Sequence, residues 1–414
     1  MNVVSKVASG IKSMVSIEKS MSQVQASWRF LNNDIVDIKI ENEPVVEKGV
    51  EEINARCNKY CLVAHDWSEI DYKNHNEKEE LLEKREIKKI ISYELQSSLA
   101  IDDERGKSIS PLAQNLKSSK KVYSTYTDEI DYNKTHLEEL AERIKWIKTL
   151  NIDKKIVNMI DREGDSVGFL RDIKDELFLI RVRNQPTIHW IEKDLKINGK
   201  ALSNQLEHKL IKKIKYKNQT MTLHGCEVDI EVKRQQSIDR KIDGERVQKR
   251  IDGEPVKARF ISVKLVDKNN KEISRWLLLS NIEEDVSLDT LVTWYYYRWN
   301  IESYFKLLKS SGHQLESWQQ KTPKAIFRRL IIVSYACVLV WQLANAKDKK
   351  AEELRNLLIR LSGRQMSYGT DFTYPTLFAG LWILLSMLEL MEIYDFKDLL
   401  DMKSYISDFF QGAF

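Results

Sequence analysis

The apolar positions change period several times along the chain, and each change predicts an element. Tyr60-Cys-Leu-Val-Ala-His-Asp66 is a short apolar run ending in an acid, which predicts a buried strand with Asp66 at its end. Lys155-Ile-Val-Asn-Met-Ile-Asp161 repeats that form, and Leu177 to Arg183 predicts a further strand. Ile90 to Ile101 and Lys107 to Leu116 predict two strands around the turn from Asp102 to Gly106. Leu137 to Leu150 carries apolar residues at helical spacing. Alternation in Met221 to Lys233 and Val256 to Val266 predicts antiparallel strands, with two Asp-Gly turns between them, and Arg275 to Ser280 predicts another core strand. Residues 1 to about 58 and those from Ala325 onward read as helical, and Lys73 to Lys89 as a charged helix or loop.

Tyr295 to Lys309 contains no Gly or Pro and predicts one continuous helix. With Tyr295 at zero, Glu302 falls at about −20°, Lys309 at about −40° and Arg298 at about −60°. These four side chains share one stripe beside the apolar stripe of Ile301, Tyr304, Phe305 and Leu308. A carboxylate flanked by Arg and Lys suits a metal ion held beside a phosphate chain, and equally suits ordinary surface ion pairs.

Charge adds little until it is localised. The chain of 414 residues has a net charge of +4, with 31% charged and 42% hydrophobic residues, the composition of a soluble globular protein of two to four domains. Between Asn184 and Phe260 there are 17 Lys plus Arg against 11 Asp plus Glu, so the basic excess lies in one segment and favours a polyanion there. Cys57, Cys61, Cys226 and Cys337 lack zinc-site spacing and read as reduced thiols. The apolar runs Leu330 to Leu343 and Leu377 to Leu390 fall short of the ~20 residues of a membrane span and read as buried helices.

Two motifs carry a resemblance. Tyr295, Arg298, Glu302 and Lys309 match, in spacing, the Tyr-Arg-Glu-Lys signature of a family of bacterial insertion-sequence transposases with an Asp-Asp-Glu triad. Asp161-Arg-Glu-Gly-Asp165 resembles that family's Asp-Arg-Glu-Ala-Asp motif, with Gly164 in place of Ala. Asp66 stands where the family has its first catalytic Asp, followed here by Trp67 and Ser68 rather than Thr-Thr. Ala26 to Asn33 resembles an N-terminal Tyr-Arg-Phe element with Trp28 for Tyr, and Trp28 and Phe30 are expected in the core. The family's basic Asp-Arg-Arg element would lie upstream of residue 1.

The resemblance implies an α/β fold: a ribonuclease H-like mixed-sheet core interrupted by a β-rich insertion, with helical terminal regions. The implied division is 1–58, a truncated end-recognition region; 59–183 and 276–324, the two parts of the core; 184–275, the insertion; and 325–414, a helical region that serves dimerisation. Asp66, Asp161 and Glu302 would be catalytic and would bind two Mg²⁺ or Mn²⁺ ions, for which carboxylates are suited. Tyr295, Arg298, Lys309, Trp276, Trp299, Arg181 and Arg183 would contact DNA, the two Trp side chains by stacking on or replacing a flipped base. The implied activity is cleavage of transposon ends through a hairpin and joining of the 3′-hydroxyl to target DNA, by a cytoplasmic bacterial homodimer. A DNA-binding regulator without catalysis and a nuclease without strand transfer remain as alternatives.

Overall fold

The computed structural model describes residues 17–72, 75, 77–83, 91–184, 187–216, 219–242 and 245–411. The chain divides into two compact units, one of residues 1–45, 70–93 and 304–414, the other of residues 46–69 and 94–303. It is a mixed α/β protein whose principal sheet has 13 strands and is mostly antiparallel.

The spine of that sheet is β1 (Tyr60–Asp71), β3 (Ile91–Asp102), β4 (Ser108–Lys117), β6 (Lys155–Ile160) and β7 (Leu177–Arg181). Their spatial order is β4-β3-β1-β6-β7, and both β1–β6 and β6–β7 are parallel. A parallel pair needs a crossover. The first crossover contains the helix α3 (His136–Lys148), started by a capping box between Thr135 and Glu138. The second contains the short helix α4 (Val167–Asp172).

Alternation along β1 sorts its side chains onto two faces. Cys61 and Val63 pack in one cluster with Ile147 of α3, while Tyr60 stacks at 4.9 Å on Trp294 of the helix α6 (Leu288–Tyr297). β1 runs five residues beyond Asp66, so that acid lies within the strand rather than at its end. Ile70 stays fully buried beyond it, which keeps this stretch extended.

After β7 come β8 (Thr187–Trp190), β9 (Leu195–Asn198), the helix α5 (Gly199–Gln205), β10 (Lys209–Tyr216), β11 (Gln219–Val232), β12 (Gln236–Ile242), β13 (Glu245–Ile251) and β14 (Val256–Val266). β12 and β13 form a separate two-stranded sheet. The first Asp-Gly turn falls at 243–244, outside the described residues; the second lies between β13 and β14. β15 (Glu272–Ser280) then pairs with both β14 and β7 and returns the chain to the spine. The predicted charged stretch 73–89 is only partly described; it includes the short strand β2 (Leu82–Glu83).

In the other unit the helix α1 (Ile17–Leu31) packs on α8 (Pro323–Asn345). Arg328, fully buried, pairs with Glu41 at 3.0 Å and donates to the carbonyls of Phe30, Leu31 and Asn33. Burial raises the Glu41 carboxyl to about 7. Trp28 is 65% exposed, against the expectation of a core residue. Leu31 and the partly buried Phe30 take the core face of α1 and leave Trp28 on the outer side. Among the described residues two helices are long and apolar enough to cross a membrane, Pro323–Asn345 and the stretch Tyr374–Glu392 of α10 (Tyr374–Ile393). Both exceed the 14-residue apolar runs because helix continues into their polar flanks. The first is 67% buried, as in a core helix, and the second 17%.

Candidate active site

The β1–β6 register brings two acids together. Tyr60 pairs with Lys155 and Ala64 with Met159, a constant offset of 95. The pairing stops at Ala64 and Met159, so Asp66 lies two residues past the last pair on β1 and Asp161 just past the end of β6, and the Asp161 charge bears on Asp66. Asp161 follows β6 directly, with extended backbone, and caps the 3₁₀ turn Arg162–Gly164 by accepting from the Glu163 N–H at 2.8 Å. Asp66 Oδ1 likewise accepts from the Trp67 N–H at 2.9 Å.

The third acid arrives on a broken helix. In place of one helix from Tyr295 to Lys309 there are α6, a turn at Arg298–Trp299, α7 (Asn300–Lys306) and a π-helical turn, Leu307–Ser311. The single-stripe geometry therefore does not hold. The break sits where three side chains are tied to the β3–β4 turn: Trp294 donates to the Asp103 carbonyl, Tyr297 to Glu104 and Asn300 to Gly106. Gly106 has φ +64° and lies against the Tyr297 ring, where any Cβ would clash.

Arg298, at this break, joins two of the acids. Its Nη1 donates to Asp66 Oδ2 at 3.0 Å and its Nη2 to Glu302 Oε1 at 3.2 Å. Burial raises the carboxyl groups of both Asp66 and Glu302 above their ordinary values, with Arg298 opposing the shift and Asp161 adding to it. Three acids are thus crowded around one guanidinium. The Tyr295 hydroxyl and Arg298 Nε are buried without a hydrogen-bond partner, a cost of roughly 1–3 kcal/mol each unless a ligand supplies one.

The other expected site residues are distributed more widely. Trp276 is half-buried on β15, its ring 6.4 Å from that of Tyr295, and Trp299 is 50% exposed. Arg181 ends β7 within electrostatic reach of Tyr295, Arg298 and Asp161, and burial lowers its pKa. Arg183 lies past the end of β7, so the two Arg residues do not alternate on one strand; its backbone N–H donates to Asp165 Oδ2. Lys309 belongs to the other unit and pairs with Glu316 at 3.7 Å.

Carboxylates match Mg²⁺ or Mn²⁺ in chemistry, and burial of Asp66 and Glu302 leaves negative charge that a cation would relieve. In the present side-chain arrangement the cation between Asp66 and Glu302 is Arg298, and among the described residues no three His, Cys, Asp or Glu side chains are gathered to hold a metal ion. The donors match such an ion in chemistry, but as placed they are not gathered around one position.

Two neighbours of the acids had no sequence signal. His65 is buried between Ser98 and Asn158, at 2.8 and 3.0 Å, and burial lowers its pKa to about 3. Arg234, from the β11–β12 connection, binds Asp165 Oδ1 at 2.6 Å and so ties this segment to the Asp161–Asp165 turn. No protein family model matches the sequence, and no curated protein matches it.

Proposed function

We propose that this chain is a metal-dependent DNA transposase with a ribonuclease H-like core, which cleaves transposon ends through a hairpin and joins the 3′-hydroxyl to target DNA. The observation that carries the reading is that Asp66 and Asp161 lie just past the paired stretch of the parallel strands β1 and β6, within electrostatic reach of each other, with Glu302 tied to Asp66 through Arg298. Support comes also from the chain order: strands β1, β3 and β4, then α3, then β6, with the β-rich segment between the second acid and the glutamate.

Asp66, Asp161 and Glu302 would hold the divalent ions, whose charge would serve to activate an attacking oxygen and stabilise a leaving one. Arg298 turns its planar fork from the carboxylates to a phosphate as DNA and metal enter. The Tyr295 hydroxyl donates to the same strand, which gives its buried oxygen a partner. Trp299, half exposed, receives the base displaced at the hairpin, with Trp276 beside Tyr295 forming the other wall. Arg181 and Arg183 hold flanking phosphates. The exposed Met387, Leu388 and Met391 of α10 supply the homodimer surface.

The Arg298 pairing with both Asp66 and Glu302 suits equally a DNA-binding regulator without catalysis. A single assay separates the two: incubation with DNA carrying the ends that flank the coding gene, in Mg²⁺ or Mn²⁺, for the wild type and Glu302→Ala. Hairpin and joined products, lost in Glu302→Ala, are expected. End binding without any metal-dependent break would leave the regulator reading.

A further inference from the structure

The backbone donors that hold the two strand-borne acids belong to Trp67 and Glu163, and both of those side chains meet one residue. His136, at the start of α3, places Nε2 2.8 Å from Glu94 Oε1 and Nδ1 3.3 Å from Glu163 Oε1. The Trp67 ring lies 4.6 Å from the imidazole at an interplanar angle of 52°. Glu163 gives its N–H to Asp161, and Trp67 gives its N–H to Asp66.

We propose that His136 is a positioning residue for the candidate active site, a doubly protonated imidazole that fixes the Glu163 and Trp67 segments and, through their amides, aims Asp161 and Asp66. The inference rests on the reading of those acids as metal ligands. A neutral imidazole has one N–H and one lone pair. With a carboxylate oxygen at each nitrogen, the neutral ring would set its lone pair against an anion, so the geometry selects the cation.

The electrostatics agree. Glu163 and Glu94 push His136 up to about 9 against the opposing effect of burial. Glu94 is itself held below its ordinary value: burial raises it, but His136, Gln96 and Lys117 outweigh that. The groups that bear on the imidazole are therefore Glu94 on β3, with Lys117 of β4 behind it, Glu163 on the turn after β6, and the Trp67 ring on β1. Glu138 and Glu139 lie in the first turn of its own helix. The same arrangement accounts for Trp67: a flat ring following Asp66 can cover the imidazole, as a Thr side chain cannot. Outer contacts of this kind hold first ligands in place, and their loss typically costs about 10–100-fold in metal affinity.

The test uses the full chain without DNA. The imidazole resonances are followed by NMR against pH, with the His136 signal assigned by its absence in His136→Gln. A midpoint near 9 is expected; one near the ordinary 6.5 overturns the proposal, whether or not the variant folds. Mn²⁺ binding is then measured by calorimetry at pH 7.5 for wild type, His136→Gln and His136→Arg. About a tenfold or greater loss in His136→Gln, with much of it recovered in His136→Arg, is expected. Equal Mn²⁺ affinity in wild type and a folded His136→Gln overturns the positioning role while leaving the transposase reading intact. Wild type that takes up no Mn²⁺ removes the ligand reading of the acids and the proposal with it, a result distinct from equal affinities.

Discussion

His65 and Asp66 are consecutive on β1 and face opposite sides of the sheet, and the two sides are built on different terms. On the His65 side the polar group is buried and satisfied, with Ser98 on one ring nitrogen and Asn158 on the other. Its low pKa keeps the ring neutral near pH 7, and the network costs the fold little. On the Asp66 side two acids share one guanidinium, both Asp66 and Glu302 are shifted upward, and the Tyr295 hydroxyl is buried without a hydrogen-bond partner. A satisfied network reads as structure. An underbalanced cluster of ionisable groups is a candidate functional site.

Substitutions on the two sides should separate these roles. The largest effect is expected from Glu302→Gln: a loss of about 4 kcal/mol of transition-state stabilisation, on the order of 10³-fold in the single-turnover rate of end cleavage. Its urea midpoint should stay near that of the wild type. His65→Leu should do the reverse. It leaves Asn158 Oδ1 and the Ser98 hydroxyl without the imidazole and should lower stability by about 1–3 kcal/mol in urea denaturation, while the folded fraction binds Mn²⁺ as wild type does. A folded His65→Leu that loses Mn²⁺ binding would merge the two sides. Trp299→Ala should act on one step only, lowering hairpin formation by roughly tenfold through a lost stack of about 1–3 kcal/mol, with the first nick unaffected.

A further effect is one of sign. His65 is depressed from 6.5 to about 3, so its contribution to stability is complete above pH 6.5 and is lost as the pH falls through 3. Asp66 is raised from 3.8, so its contribution is complete below that value and is lost as the pH rises through the folded value. Urea midpoints between pH 3 and 8 should therefore depend on pH in opposite directions at the two positions. Asp66→Asn should remove the loss on the alkaline side of 3.8, and His65→Leu the loss on the acid side of 6.5.

Much of this arrangement was readable in the residues, and the exceptions have physical causes. Apolar runs ending in acids located β1 and β6, and the helical period of Leu137 to Leu150 located α3, because local pattern and tertiary burial agree there. The offset of 95 between β1 and β6, which brings the Asp66 and Asp161 segments near each other, is set by strand pairing, which no single strand encodes. Tyr295 to Lys309 was misread as one helix because its break has no Gly or Pro; it is tied by hydrogen bonds to a turn about 190 residues earlier in the chain. The extension of β1 past Asp66 and the outward position of Trp28 likewise follow from packing partners rather than local preference. His136 has no motif at all. Its surroundings come from β1, β3 and the turn after β6, and only the fold assembles them.

The most direct test of the central claim, that the Asp66 face is a phosphodiester-cleaving site, is the single-turnover end-cleavage rate of Asp66→Asn in Mn²⁺ beside the wild type. The expected result is metal-dependent cleavage by the wild type and a fall on the order of 10³-fold in a variant that remains folded. Cleavage by folded Asp66→Asn at close to the wild-type rate would contradict it.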